Sequence, residues 1–396
     1  MIKKSGLWVI LILLIMVFIQ ACSSQPSESA INTAIAKTQA GQPQATEIAI
    51  PETTNTAQPT NTLKPTNTPR PTNTPAPTRT PTPVPIGMSR NNPYPSSDVA
   101  STGNWDIQVI ETIRGESAWT AIKNANMFNE PAPEGMEYLL IRLHVKSTFT
   151  DNEEHSISGC DFDVTGSRLI LYTCSMASVV EPEPQLDARL FSGGETEGWA
   201  AFQVGQGEDN LILIANELFS FDEEKIRYIA LDEGASISIS PDLSGIVPDN
   251  LGLERSNPAP LIELITTEDW QIKILETVRG GDAWNIVEEA NMFNEPPAEG
   301  MEYVAAKLYV RYIGVEDKSE NIDGSFFQLT GSNGILYDNP SVVDPDPPLD
   351  ISLFPGGEYE GWIVVQAAEG ETGIMLVFEP LWDFSGTNRR YISLEP

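Results

Sequence analysis

The stretch "EYLLIRLHVKS" at residues 137–147 decides the fold, because apolar and polar side chains alternate along most of it. A period of two places successive side chains on opposite faces of a β-strand. A similar stretch, "EYVAAKLYVRY", follows at residues 302–312. The sequence therefore predicts a long, half-buried strand at each of these two places.

The two strands belong to a larger internal repeat. "ANMFNEP" occurs at 125–131 and again at 290–296, and 20 of the 34 positions from Trp105 to Tyr138 match those found 165 residues later. A unit of about 145 residues is too long for a solenoid repeat and is typical of a duplicated domain. The predicted domains are 86–233 and 251–396, with a linker at 234–250.

Strand patterns dominate both units, and Gly- or Pro-rich turns separate each strand pattern from the next. Six to eight short strands with long connections favour a β-sandwich. One stretch differs, since "SAWTAIKNANMF" spaces Ala118, Trp119, Ile122 and Ala125 at helical intervals. We therefore predict an all-β protein made of two tandem sandwiches, each with a short helical insertion.

The first residues resemble the signal peptide of a bacterial lipoprotein. Lys3 and Lys4 precede 13 uninterrupted apolar residues, 7–19, a run too short to span a bilayer, which takes about 20 residues. Ala21 then stands directly before Cys22, as in a lipobox. The resemblance implies removal of residues 1–21 and acylation of the Cys22 thiol. The alternative is an ordinary secretory signal or signal-anchor in which Cys22 has no special role.

Residues 22–85 are predicted to form a disordered stalk. They are rich in Thr, Pro, Ala and Gln, and the Pro residues favour an extended polyproline conformation. The Pro-rich part alone would reach on the order of 100 Å at about 3.1 Å per residue. Such a stalk would lift the repeats away from the membrane, and its Thr residues are candidate O-glycosylation sites.

The charge of the chain is strongly acidic, with a formal net charge of −33. Residues 1–100 hold seven Lys/Arg and four Asp/Glu, which leaves 16 basic and 52 acidic residues in 101–396, a net charge of −36. Such a surface repels nucleic acid and anionic lipid headgroups. It keeps a protein soluble and favours cations or basic partners.

Cys160 and Cys174 remain once Cys22 is assigned to lipid. They are symmetric about Ser167, so a hairpin centred there would bring them together across two strands. The second repeat has Ser325 and Asn339 at these positions, and joint absence is expected for a bonded pair. We predict a disulfide in this oxidising location, worth about 3 kcal/mol. The alternative is two free thiols.

Motifs that carry chemistry are scarce. The only histidines are His144, whose counterpart is Tyr309, and His155. No transition-metal cluster, nucleophile elbow, P-loop or dinucleotide fingerprint is found in the sequence. The loops "EPEPQLD" and "DPDPPLD" carry acids on Pro-stiffened backbone, which leaves Ca²⁺ as an alternative to an acidic solvated rim. We predict no enzyme, no cofactor and no metal site.

The repeated "ANMFNEP" admits two interpretations. In the structural one, Met127 and Phe128 plug the core and the following residues turn the chain into the next strand. In the functional one, side chains at one end of each sandwich line a recognition surface. The candidate residues are Trp119, Asn126, Phe128 and Asn129 in the first repeat and Trp284, Asn291, Phe293 and Asn294 in the second.

The order of strands and the "GGE-x-EGW" motif resemble a known family. The motif comprises Gly193, Gly194, Gly198 and Trp199, and again Gly356, Gly357, Gly361 and Trp362. The sequence looks like the telokin-like, immunoglobulin-like domains of bacterial surface lipoproteins, a family of unknown function. The resemblance covers about three-quarters of the chain. It implies an immunoglobulin-like sandwich outside the cytoplasm, and it brings no catalytic residues.

Together these observations predict a monomeric, lipid-anchored protein on the extracytoplasmic face of the membrane or cell surface. Its two immunoglobulin-like modules would bind a protein or glycan without catalysis. The alternatives are a purely structural envelope spacer and an adhesin-like rod stiffened by Ca²⁺.

Overall fold

The computed structural model describes residues 85–216, 223–380 and 386–395. The predicted signal peptide, Cys22 and the stalk up to residue 84 lie outside these residues. Both repeats belong to one compact unit, Arg79–Pro396, and we call them the first and second copies. The described residues form an all-β protein with one α-helix inserted in each copy.

The two copies contain matching helices and strands in the same order, except that β15 of the second copy has no counterpart strand in the described part of the first. The helices are α1 (Glu116–Ala125) and α2 (Gly281–Ala290). The strands of the first copy are β1 (Ala100–Ser101), β2 (Trp105–Arg114), β3 (Met136–Ser147), β4 (His155–Ser158), β5 (Phe162–Thr165), β6 (Asp187–Leu190), β7 (Glu195–Gly205), β8 (Ile212–Ala215) and β9 (Arg227–Ala230). The strands of the second copy are β10 (Ile265–Thr266), β11 (Trp270–Arg279), β12 (Met301–Tyr312), β13 (Glu320–Asp323), β14 (Phe327–Thr330), β15 (Leu336–Tyr337), β16 (Asp350–Leu353), β17 (Glu358–Ala368), β18 (Met375–Phe378) and β19 (Arg390–Ser393).

All of these strands pair in antiparallel fashion. The longest sheet of each copy has four strands, in the order β1-β2-β3-β7 and β10-β11-β12-β17. Two smaller sheets lie opposite the long sheet of each copy. They are β4-β6 and β5-β8-β9 in the first copy, and β13-β16 and β15-β14-β18-β19 in the second. Hydrophobic side chains of the long sheet and of the opposite strands share one buried cluster, which is the core.

The burial along β3 explains its sequence. Leu139, Ile141 and Leu143 are fully buried in the core. Leu140 points to the other face, where it is buried beneath α1 together with Tyr138. Beyond the helix this face is open to solvent and carries polar side chains, with Arg142 paired to Glu197, and His144 and Lys146 to Glu195. The strand is therefore apolar on both faces only where the helix covers it.

The two copies touch through backbone as well as side chains. Leu171 N donates to Ser352 O at 2.9 Å, and Phe354 N donates to Leu169 O at 2.8 Å. These bonds flank an antiparallel bridge between Ile170 and Leu353. The core side chains of both copies thus form one continuous set. Whether each predicted domain folds alone stays a prediction.

A buried ion pair lies beside this contact. Arg90 is fully buried, and its Nε donates to Asp317 Oδ1 at 2.7 Å. Its Nη2 lies 2.6 Å from the same oxygen but outside hydrogen-bonding geometry. The guanidinium also stacks 3.8 Å from the centre of the Phe354 ring. Burial lowers the pKa of Arg90 and Asp317 opposes that shift, so the guanidinium depends on this carboxylate.

The predicted linker takes part in the packing. It contains a short 3₁₀ helix, Pro241–Gly245, in which Leu243 is only 2% exposed. Ile237 is also buried, and its N–H donates to Arg90 O at 2.9 Å. Asp249 N donates to Thr266 O of the second copy at 3.0 Å, so the segment is anchored to both copies.

Asp163, on β5, gives a pH-dependent prediction. Burial raises the pKa of its carboxyl from 3.8 to about 6, against a smaller opposing effect of the hydrogen bond with Asn216. Because the folded-state pKa exceeds the unfolded value, protonation stabilises the fold, and this contribution is lost as pH rises from about 4 through about 6. We expect Asp163→Asn to raise the urea unfolding midpoint relative to the native chain at neutral pH but not near pH 4. The same shift at both pH values would contradict this account.

Candidate functional site

Each helical insertion starts at an Arg-Gly pair. Gly115 and Gly280 have φ of +63° and +64°, in the left-handed region that favours glycine. A Cβ on Gly115 would also lie 2.9 Å from Glu137 Oε2. The preceding arginines hold the same glutamates, since Arg114 Nη2 lies 2.5 Å from Glu137 Oε1 and Arg279 Nη2 lies 2.5 Å from Glu302 Oε1. In both copies the backbone therefore turns out of the long sheet at the same point, between β2 and α1 or between β11 and α2.

The helices pack on the outer face of the long sheets. Ala118 and Ile122 are fully buried in the first copy, as are their counterparts in the second. Trp119 stacks on Tyr138 with ring centroids 5.9 Å apart and planes at 17°. Trp284 packs on Tyr303 at 6.2 Å. Both tryptophans are partly buried in clusters beneath the helices, so they support the insertion.

The asparagines after α1 brace the turn that follows it. Asn129 Nδ2 donates to Ile122 O at 2.8 Å and to Val180 O at 2.9 Å. Its Oδ1 accepts from Val180 N at 3.0 Å. Asn126 Oδ1 accepts from Phe128 N at 3.0 Å. Every polar atom of the Asn129 side chain therefore ties the helix end to the segment around Val180.

The second copy repeats this bracing bond for bond. Asn294 Nδ2 donates to Val287 O at 2.7 Å and to Val343 O at 2.9 Å. Its Oδ1 accepts from Val343 N at 2.8 Å. Asn291 Oδ1 accepts from Phe293 N at 2.9 Å. The four asparagines are thus positioning residues, and the pair of residues between them is presented by the turn.

That pair faces solvent in both copies. Met127 and Phe128 are 80% and 83% exposed, and Met292 and Phe293 are 82% and 85% exposed. We call Met127–Phe128 the first tip and Met292–Phe293 the second tip. The interpretation that Met127 and Phe128 plug the core is wrong. Ala118 and Ile122 already fill the space beneath α1, and the braced turn directs the next side chains outward.

The predicted disulfide between Cys160 and Cys174 is confirmed, with Cα atoms 5.1 Å apart. The cysteines lie in two 3₁₀ turns that flank a short hairpin. In that hairpin Val164 and Tyr172 exchange backbone hydrogen bonds of 2.9 and 2.7 Å. The hairpin is therefore centred one residue beyond the predicted Ser167. In the second copy Asn339 Nδ2 joins the same segments by donating to the carbonyl oxygens of residues 324 and 327.

The "EGW" motif permits a close backbone approach. A Cβ on Gly198 would lie 2.4 Å from Leu186 N, and one on Gly361 would lie 2.7 Å from the Cα of Leu349. The backbone N–H of the adjacent Trp199 donates to Pro184 O at 2.8 Å, and its backbone carbonyl oxygen accepts from Leu186 N at 2.9 Å. The motif therefore fastens the segment that holds Val180 to the long sheet.

Two buried carboxylates were missed by the sequence reasoning. Glu208 is 3% exposed and accepts from Tyr172 Oη at 2.5 Å and from Arg168 N at 2.9 Å. Glu371 is 5% exposed and accepts from Tyr337 Oη. Burial, with Glu208 nearby, raises the pKa of the Tyr172 hydroxyl. The available sequence signal for these two carboxylates was the "GE" dipeptide, which is repeated after the long strands β7 and β17.

The described residues contain no group of three or more His, Cys, Asp or Glu side chains arranged to hold a metal ion. His144 lies 3.4 Å from Glu195 on the outer face of the sheet. His155, the first residue of β4, lies 3.0 Å from Asp151 and stacks on Phe149. The two histidines thus have separate, local partners. The Ca²⁺ alternative stays untested.

Comparisons with known proteins give distant likenesses. No family model matches the chain, and neither does any curated protein. A candidate lipoprotein of Bacillus subtilis, ycdA, has a solved structure with a TM-score of 0.26 and 12% identity, over 34% of this chain and 38% of its own. The yjhA protein of the same organism has a TM-score of 0.24 and 14% identity, over 35% of this chain and 99% of its own.

No helix in the described part of the chain is long and apolar enough to cross a membrane.

Proposed function

We propose that this chain is a non-catalytic binding protein held on the extracytoplasmic side of a membrane by lipid on Cys22. Its two copies would be immunoglobulin-like sandwich modules that present the two tips to a protein or glycan ligand. The duplicated exposure of a Met–Phe pair carries this proposal. The lipobox-like Cys22 and the Pro-rich stalk support the location.

Exposed Met and Phe side chains suit a binding surface. Isolated apolar residues are common on protein surfaces, but a larger apolar patch rimmed by polar residues often marks an interaction site. Phe supplies a large apolar area and Met adapts its shape to a partner. Val180 and Val343, 42% and 50% exposed, extend the apolar surface next to each tip.

The bracing supports the same proposal. Binding costs less conformational entropy when the binding loop is already ordered in the free protein. Asn129 and Asn294 each make three hydrogen bonds that fix the turn. A turn built only to connect two elements has no need to hold two large apolar side chains in water.

We expect Phe128→Ser combined with Phe293→Ser to weaken ligand binding at least about tenfold, as for a buried aromatic anchor. The full-length chain in zwitterionic nanodiscs would be probed against an array of glycans, envelope polymers and purified surface proteins. Empty nanodiscs give the background. The melting temperature should hardly change, because both side chains are more than 80% exposed.

The matched control is Val247→Ser with Ile262→Ser, which removes two other apolar side chains that are 76% and 67% exposed. This control should keep the array signals. Equal losses in the two variants would refute a specific role for the tips. A native chain that binds nothing on the array would favour the spacer alternative.

A further inference from the structure

An apolar groove of about 350 Å³ begins beside the second tip. Its walls include Val278 on β11, Ile286 on α2 and Trp362 on β17. The last turn of α2 forms one side and leads directly into the second tip. The opposite side includes Pro345, two residues after the Val343 that Asn294 holds. The groove and the second tip are therefore adjacent along both chain segments.

The charges at the groove indicate what it would bind. Glu276, Glu289 and Asp346 are exposed at its rim. None of the eight described residues that line it is Lys, Arg or His. The net charge of the chain, −33, has the same sign. An acidic rim around an apolar wall is complementary to a surface that is both apolar and basic.

Resting on the proposed function, we infer that the second tip and its groove bind a protein segment carrying both apolar and basic side chains. Lys and Arg suit such a site, because their methylene stems lie along apolar walls while their charged ends reach carboxylates. Trp362 adds an indole face that attracts cations. In the first copy, the guanidinium carbon of Arg142 lies 6.0 Å from the ring centroid of Trp199, the counterpart of Trp362. At the position of Arg142 the second copy has Lys307, which is paired with Glu360 at 3.2 Å.

The first copy provides a natural comparison. It has the same tip and the same Asn bracing. Its α1 is less acidic and less apolar along the corresponding turn, so a basic segment should prefer the second copy. The positions responsible for this difference are Ile286, Glu288 and Glu289, where the first copy has Ala121, Lys123 and Asn124.

The test uses the full-length chain in zwitterionic nanodiscs and a synthetic peptide of alternating Leu and Lys, with a Leu/Gln peptide of equal length as its neutral partner. Binding is measured by calorimetry at physiological and at high ionic strength. The Leu/Lys peptide should bind at least about tenfold more tightly than the Leu/Gln peptide, and salt should reduce the difference. Replacing Glu288→Lys and Glu289→Asn, which copies the first repeat, should weaken Leu/Lys binding about tenfold.

The control is Glu254→Lys with Glu263→Asn, which changes the net charge equally at exposed positions that belong neither to the groove nor to the last turn of α2. It should reduce binding far less. The inference is overturned if the Leu/Lys peptide does not bind, if the neutral peptide binds as tightly, or if both charge variants weaken binding equally. In each of these cases the array result for the tips still decides the proposed function separately.

Discussion

Replacing Asp317 by Ala is expected to lower the free energy of unfolding by about 3 kcal/mol. The substitution leaves the guanidinium of Arg90 fully buried without its carboxylate. Removing one partner of a buried pair costs about 3–5 kcal/mol, and the Asp317 side chain is 27% exposed, which favours the lower end. Urea unfolding followed by tryptophan fluorescence measures the change.

The second copy supplies the control for this prediction. Arg255 occupies the position of Arg90 in the repeat, but it is exposed and donates to Gly331 O within its own copy. Arg255→Ala should therefore cost about 1 kcal/mol or less. Combining Asp317→Ala with Arg90→Met should restore part of the lost stability, because no buried charge then remains. A cost below about 1 kcal/mol for Asp317→Ala would contradict the assigned role of the pair.

Removing the disulfide is expected to have the next largest effect. Cys160→Ser with Cys174→Ser should lower the free energy of unfolding by about 3 kcal/mol, because the bridge closes a 14-residue separation in the unfolded chain. The loss should appear as a lower urea midpoint under non-reducing conditions. Reductant should lower the midpoint of the native chain similarly and leave the variant unchanged.

The second copy suggests a substitute for the bridge. Asn339 joins the equivalent segments through two hydrogen bonds, one of 2.8 Å. Cys160→Ser with Cys174→Asn transplants this arrangement and should recover about 1 kcal/mol relative to the double Ser variant. No difference between the two variants would show that the Asn339 bonds do not replace the bridge.

Local patterns in the sequence predicted the long strands and the helices, although the described residues form nine strands in the first copy and ten in the second, more than the six to eight predicted. The alternation in "EYLLIRLHVKS" predicted β3, and the spacing of Ala118 and Ile122 predicted α1. The joint absence of both cysteines from the second copy predicted the disulfide. Each of these signals depends on residues close in the chain or on comparison of the two copies. The immunoglobulin-like form of the modules stays a prediction.

The contacts that depend on distant parts of the chain were not visible in the sequence. Arg90 and Asp317 are 227 residues apart, and nothing local distinguishes Arg90 from Arg255. The exposure of Phe128 could not be decided from the sequence, because an aromatic residue after an amphipathic helix is compatible with burial in the core as well as with a surface site. The side-chain hydrogen bonds of Asn129 decide that orientation, and their partner at Val180 is 51 residues away.

Methionine oxidation tests most directly whether the repeated Met–Phe pair lies on the surface. Mild peroxide treatment of the native chain, followed by peptide mass spectrometry, reports the accessibility of each methionine. Met127 and Met292 are 80% and 82% exposed, whereas Met136 and Met301 pack against the core. We predict that Met127 and Met292 are oxidised well before Met136 and Met301, without loss of stability. Protection of Met127 and Met292 until the chain unfolds would contradict the account.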